Sequence, residues 1–289
     1  MEISIVKTKV LAALPDARNL FQGSDAKFAT SLGINPAQYS RIKNGDTDKV
    51  VSDASWLTIA RRLNVELRND VQWNVAKTPM YLYLYSQLLS CKKNATSGLL
   101  CDDADTGKSF TAKHFARTTK NTVYVDCSLV KSKQKLVRFI AKEFGLNSAG
   151  RYFDVFQDLV YYIKSIDKPS VILDEAGDLD YSAFLEIKAL WNATERACSW
   201  FMIGAEGLEE KIQRSIGNKK VGYTEIFSRF GGRYQRVTPK GKEAVIDWRN
   251  TQAALVIQAN CDSKIDVQKM IKTTGASLRR AFDVLTTKN

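Results

Sequence analysis

Between residues 98 and 238, short apolar runs alternate with stretches whose apolar positions recur at steps of three and four. The runs Gly98–Cys101, Thr122–Asp126, Val171–Leu173, Trp200–Ile203 and Tyr234–Val237 predict strands. Patterns at 108–118, 131–145, 151–165, 181–194 and 207–216 predict helices. Strand–helix alternation of this kind builds a parallel sheet covered by helices on both faces, so the expected fold class is α/β. Within residues 67–95, Tyr81, Leu82, Leu84, Tyr85, Leu88 and Leu89 fall on helical spacing. They predict a helix packed just before the first strand, its aromatic stripe in the core. Beyond Pro239 the pattern is helical to the end, with a break at Gly275, which makes a small helical lid.

The front of the chain reads differently. Phe28, Ala29 and Leu32 mark one helix face, Gly33 ends that helix, and Asn35 caps the next with Pro36 at its first position. Asn44-Gly45 is the next stop signal. Two short helices joined by a tight glycine turn, followed by a third over Trp56–Val65, form a helix-turn-helix pattern. The chain therefore divides into residues 1–75, an all-α front domain; 76–237, the α/β core; and 238–289, the lid.

Charge adds a partner class. The net charge is +12 with a pI of about 9.4, which favours polyanions. Residues 1–75 hold 10 Lys and Arg against 8 Asp and Glu, so the surplus belongs mainly to the rest of the chain. No run approaches the roughly 20 apolar residues of a membrane span, and no leader pattern opens the chain. The expectation is a cytoplasmic protein with no membrane partner. The cysteines at 91, 101, 127, 198 and 261 have no metal-ligand spacing and read as reduced, buried thiols. His114, the one histidine, has no partner for a zinc site.

The chemistry concentrates after the first expected strand. Asp102-Asp103-Ala104-Asp105-Thr106-Gly107-Lys108-Ser109 lies between a strand and a helix, as a phosphate loop must, and its wrap extends to Phe110. Gly107 permits the close turn, Lys108 reaches the β- and γ-phosphates of ATP, and Ser109 offers its hydroxyl to Mg²⁺. The first position of that pattern is ordinarily glycine and here is Asp102. Three carboxylates (Asp102, Asp103, Asp105) crowd a loop meant for polyphosphate, a repulsion of about 1 kcal/mol per charge at 4 Å in water and about 4 near a protein surface unless they turn away. Farther on, Ser170-Val171-Ile172-Leu173-Asp174-Glu175 is an apolar strand ending in two acids. Asp174 is the candidate to hold Mg²⁺ and Glu175 to polarise the attacking water.

Loop and acids together form a Walker A and Walker B pair, and residues 76–289 resemble the AAA+ ATPases. That resemblance implies further roles. Glu206, after the next strand, takes the place of a polar sensor. Arg229 in Phe227-Ser228-Arg229-Phe230 matches the arginine finger that completes a neighbouring subunit's site, with Arg233 second. Arg279 in Gly275-Ala276-Ser277-Leu278-Arg279 matches the lid arginine over the phosphates. The finger implies a homo-oligomer, a ring or a helical filament.

Two segments are candidates for double-stranded DNA. Lys131, Lys135, Arg138 and Lys142 are spaced to line one helix face, and in several DNA-tracking AAA+ proteins the segment after the second strand faces nucleic acid. Lys219-Lys220 has the same rank. Residues 26–65 resemble the Cro/repressor type of helix-turn-helix domain, which implies Gln38, Ser40, Arg41 and Lys43 as DNA-facing residues unless the module contacts protein. The order of the two parts is similar to the target-capture transposition ATPases, the family of the phage Mu B protein, TnsC and IstB. It implies an ATP-dependent, largely sequence-non-specific DNA-binding ATPase that delivers target DNA to a transposase. An operator-reading regulator and a non-hydrolysing, nucleotide-gated adaptor are the alternatives.

Overall fold

The computed structural model describes residues 3–65, 67, 73–261 and 266–287. Residues 68–72, within the stretch where the first domain boundary was expected, lie outside the described residues. At the front stand α1 (Ile3–Leu20), α2 (Asp25–Leu32), α3 (Pro36–Lys43) and α4 (Asp53–Arg62). Their starts follow the side chains. Ser24 and Ser52 accept from the amides of Lys27 and Ser55, and Asn35 and Gln38 form a reciprocal capping box around Pro36. Gly33, at φ 77°, ends α2 in the left-handed region; there an added Cβ would meet the Arg62 guanidinium at 2.5 Å. The four helices share a core of their own, with Phe28, Tyr39, Ile42, Trp56 and Ile59 all buried.

The α/β part runs α5 (Pro79–Asn94), β1 (Gly98–Cys101), α6 (Lys108–Thr118), β2 (Thr122–Asp126), α7 (Lys133–Glu143), α8 (Tyr152–Ser165), β3 (Ser170–Asp174), α9 (Tyr181–Ala193), β4 (Ser199–Gly204), α10 (Glu206–Gly217) and α11 (Tyr223–Arg229). All strands are parallel, in the order β1-β4-β3-β2. Alternation along each strand feeds two cores. Leu99, Val171, Leu173, Trp200 and Met202 face the layer of α7 to α11, while Leu100, Ile172, Phe201 and Ile203 face α5 and α6. The fold is thus the expected α/β P-loop architecture of parallel sheet between helices. One element falls short: Tyr234–Val237 is not a strand but a single bridge, Gln235 to Leu100, on the free side of β1. Asp102 captures the amides of Val237 and Thr238, so the ladder stops there.

The segment expected to form a lid follows as α12 (Lys242–Asn260), α13 (Val267–Thr274) and α14 (Leu278–Thr287) around Ala253, Ile257, Ile271, Ala281 and Leu285. No helix among the described residues is long and apolar enough to cross a membrane.

Lys92, on α5, is only 9% exposed, and its ammonium donates to the Lys168 carbonyl at 2.5 Å. Burial pushes its pKa down to about 8. Below pH 8 the lysine is charged in folded and unfolded chains alike, and folding bears the full cost of burying it. As pH rises from 8 through the ordinary lysine value, the folded chain has released the proton and the unfolded chain has not, so stability climbs. Lys92→Met is expected to stabilise the protein at pH 7 by on the order of 2 kcal/mol, after allowing for screening at the head group. Urea unfolding at pH 7 and pH 10 checks it, because the advantage must shrink at the higher pH.

Candidate functional site

Parallel strands end together, and the loop after β1 opens at that end, with β4 on one side of β1 and the Gln235 bridge on the other. Gly107 caps α6 at φ 88°, leaving the amides of the first helical turn without intrahelical acceptors. A cavity of about 320 Å³ lies over this helix start. Its floor is Ala104 through Thr111, with Glu175 and Ala205 at one side and Leu278 and Arg279 from the lid at the other. The remaining wall is aromatic or small: Trp73, Ala76, Thr78, Tyr81, Val256 and Phe282. Trp73 and Phe282 meet edge to face at 4.7 Å.

Lys108 is 8% exposed, and its ammonium donates to the carbonyl of Asp102 at 2.9 Å and to that of Asp103. Burial lowers its pKa, against the opposing pull of Asp102, Glu175 and Asp174. Ser109 also lines the cavity, and no hydrogen bond engages its hydroxyl among the described residues. Asp174, 2% exposed at the end of β3, accepts from the Tyr124 hydroxyl at 2.7 Å and from the Glu175 amide at 3.1 Å. Burial and Asp174 raise the Tyr124 pKa, so the phenol stays protonated as a fixed donor. Glu175 has φ 51° and ψ 40°, a strained backbone for a side chain with a Cβ. Burial, then Asp174, lift its pKa above the ordinary glutamate value.

This donor set fits a nucleotide polyphosphate and Mg²⁺. Helix-start amides and a buried ammonium suit phosphate, and Mg²⁺ takes few protein oxygens beside its waters, as Ser109 and Asp174 can supply. Among the described residues no cluster of three or more His, Cys, Asp or Glu is arranged for a tightly caged metal.

Two of the three acids of the loop lie elsewhere than the crowding argument places them, and the third, Asp105, lines the cavity with its carboxylate engaged. Asp102 is fully buried, and its carboxylate accepts from the amides of Asp103 at 2.7 Å, Val237 at 2.6 Å and Thr238 at 3.0 Å. Asp103 pairs with Arg236 at 2.5 Å and Arg249 at 3.1 Å. Asp105, at φ 60°, accepts from the Ser277 hydroxyl at 2.6 Å and the Arg279 amide at 3.0 Å. Neither Asp102 nor Asp103 lines the cavity.

Residues 90–212 match the family model described as AAA domain. The α/β part of the chain has the AAA+ fold. The Aeropyrum pernix Orc1 protein, solved in complex with DNA, superposes with a TM-score of 0.53 at 16% identity, over 73% of this chain and 59% of that one. The shared region therefore spans about three fifths of that protein, and at this identity it speaks for the fold. No curated protein matches the chain.

Within the AAA+ module the other expected residues scatter. Glu206 is exposed, pairs with Arg236 at 3.2 Å and leaves the cavity wall to Ala205, because it starts α10 two residues past the strand end. Arg229 lies far from its own loop. Its Nε donates to Asn192 at 2.7 Å and its guanidinium covers Trp191, which is bonded to Ser97 before β1. That is the opposite end of the strand. Arg233 is exposed.

The basic face after β2 is broken up. Lys131 precedes α7, which begins at Lys133 rather than 131, and pairs with Asp178 at 3.4 Å. Arg138 turns back onto the carbonyls of Ser148 and Gly150. Lys142 is half-buried and lines a cleft of about 740 Å³ against the front helices, shared with Arg61, Arg62, Lys113 and Arg117. Lys135 alone of the four is exposed and in no ion pair among the described residues. Lys220 lies over the Tyr181 ring at 4.1 Å. On α3, Gln38 is spent on the capping box and the Val50 carbonyl, Arg41 pairs with Asp46, Lys43 with Asp25, and Ser40 is exposed. The two exposed ion pairs are weak and open readily to phosphate.

Residue-by-residue reading missed Trp73, Tyr81 and Phe282 as cavity wall and Tyr124 as the partner of Asp174. Tyr81 was assigned to the core on its helical stripe, which cannot tell an inner face from one that lines a cavity. His114, half-buried, stacks near Phe110, with ring centroids 6.4 Å apart.

Proposed function

We propose that the chain is an ATP-dependent, largely sequence-non-specific DNA-binding ATPase that assembles on DNA and delivers target DNA to a transposase. One observation carries the nucleotide half: the cavity over the start of α6 brings Lys108, Ser109, Glu175 and Arg279 together beneath an aromatic wall. In this reading Trp73, Tyr81 and Phe282 enclose the base, the loop amides and Lys108 hold the phosphates, and Ser109 and Asp174 hold Mg²⁺. Bound Mg²⁺ supplies positive charge to the phosphate oxygens. Glu175 accepts the proton of the attacking water, and a pKa raised above the ordinary glutamate value suits a general base. Because the loop carboxylates are engaged by Arg236, Arg249, Ser277 and backbone amides, the repulsion that favoured a non-hydrolysing adaptor is reduced.

Arg229, at the far end of the strands from its own loop, is assigned to a neighbour's γ-phosphate. The proposed division is 1–75 as a Cro/repressor-like helix-turn-helix domain, 76–237 as the AAA+ core and 238–289 as the lid. DNA contacts fall to Lys135, to the cations of the cleft beside α7, and to Ser40, Arg41 and Lys43 after release of their ion pairs. The net charge supports this assignment, as does the fold shared with a protein solved on DNA. Transposition rests on the domain order alone.

Fluorescence anisotropy with unrelated duplexes, in ATP and in ADP, tests the reading. ATP is expected to tighten binding at least tenfold, equally for all sequences, with strong salt dependence. Lys108→Ala should lose that ATP effect. Equal binding with and without ATP, or preference for one selected sequence, defeats the proposal.

A further inference from the structure

Each acid of the phosphate loop reaches across the chain to a residue beyond 235. Asp102 takes the amides of Val237 and Thr238 where the chain leaves the sheet. Asp103 takes Arg236 and, from α12, Arg249. Asp105 takes Ser277 and the Arg279 amide at the start of α14. The Ser277 hydroxyl donates to Asp105 while accepting from the Arg280 amide at 3.2 Å, so one carboxylate and one hydroxyl together cap the first turn of α14. That helix carries Leu278, Arg279 and Phe282 to the cavity wall. Its placement therefore depends on a residue in the middle of the phosphate loop.

The bond is directional. Asp105 lines the cavity and adopts φ 60°, a left-handed backbone that only a few side chains tolerate, and both its carboxylate oxygens are taken by the start of α14. Alanine at the same position keeps neither the acceptor nor the backbone preference. Asparagine keeps an acceptor oxygen and tolerates the left-handed region.

We propose that Asp105, with Asp103 as a second tether, is a positioning residue that locks the helical lid to the phosphate loop. A change in the loop as it grips a polyphosphate then moves α14, and with it Arg279 and Phe282. The aspartates are in this view the transmission between nucleotide and lid. The coupling to nucleotide rests on the nucleotide reading above; the lock itself does not.

Hydrogen exchange followed by mass spectrometry on the full chain, with and without Mg²⁺ and a non-hydrolysable ATP analogue, tests it. Without nucleotide, Asp105→Ala is expected to speed amide exchange in α14 about tenfold while β3 and β4 keep wild-type protection, and Asp105→Asn should restore most of the difference. With the analogue, wild type should gain protection in both the loop and α14. Asp105→Ala should gain it in the loop alone, with affinity for the analogue lowered about tenfold. Unchanged α14 exchange in Asp105→Ala overturns the lock, as does equal nucleotide protection of α14 in both proteins. If the wild-type chain binds no analogue, the nucleotide reading and the coupling fall together, and α14 exchange without nucleotide still decides whether Asp105 positions the lid.

Discussion

Glu175→Gln is expected to lower ATP turnover by roughly 100- to 10,000-fold, the range that a positioned general base contributes, while nucleotide binding stays within about threefold of wild type. Glutamine keeps the volume and the polar tip, so the cavity wall persists. What it loses is the proton acceptor. Asp174 cannot substitute, because its oxygens are held by Tyr124 and the Glu175 amide at the buried end of β3. Phosphate release and nucleotide titration on the same preparation check the two halves separately. Unchanged turnover removes Glu175 from the role. A parallel loss of binding places it in nucleotide contact instead.

Asp102→Ala should be the more damaging change to the fold. The substitution strands the amides of Val237, Thr238 and Asp103, one of them buried and two partly buried, and leaves a small void. Each orphaned buried donor costs about 1–3 kcal/mol, so a total of about 3 kcal/mol is expected. For a chain of this size that is on the order of 6–12 °C in melting temperature, read by thermal unfolding. Asp102→Asn retains an acceptor and should lose less than half as much. A melting temperature within about 2 °C of wild type for Asp102→Ala would show that water satisfies these amides.

Local periodicity made the sheet legible. β1 and β2 begin and end where their apolar runs do, and β3 and β4 extend theirs by one residue at each end. The failures share a cause. Tyr234–Val237 has strand-like residues, yet its ladder stops after one bridge because a side chain 135 positions away takes its next amides. Lys131, Lys135, Arg138 and Lys142 have the spacing of a helix face, yet the helix starts later and its neighbours claim two of the four. Spacing describes one element at a time, whereas an ion pair or a cavity is a property of several.

The phosphate loop shows the same division at closer range. The residues Gly107, Lys108 and Ser109 between an apolar strand and a helix are enough to locate a helix start suited to phosphate, because backbone amides and a glycine turn are local matters. So is the run of apolar residues that carries Asp174 and Glu175 to the end of a strand. Where the three aspartates of the loop point was not local. Sequence alone made them a liability to polyphosphate, since only their separation along the chain was known. The fold gives each a partner more than 130 residues distant and turns the excess charge into the attachment of the lid. Short-range steric preference and hydrophobic period thus determined the elements and the loop. Long-range hydrogen bonding and packing decided which side chains face the cavity, which brace it, and which wall of it belongs to α14.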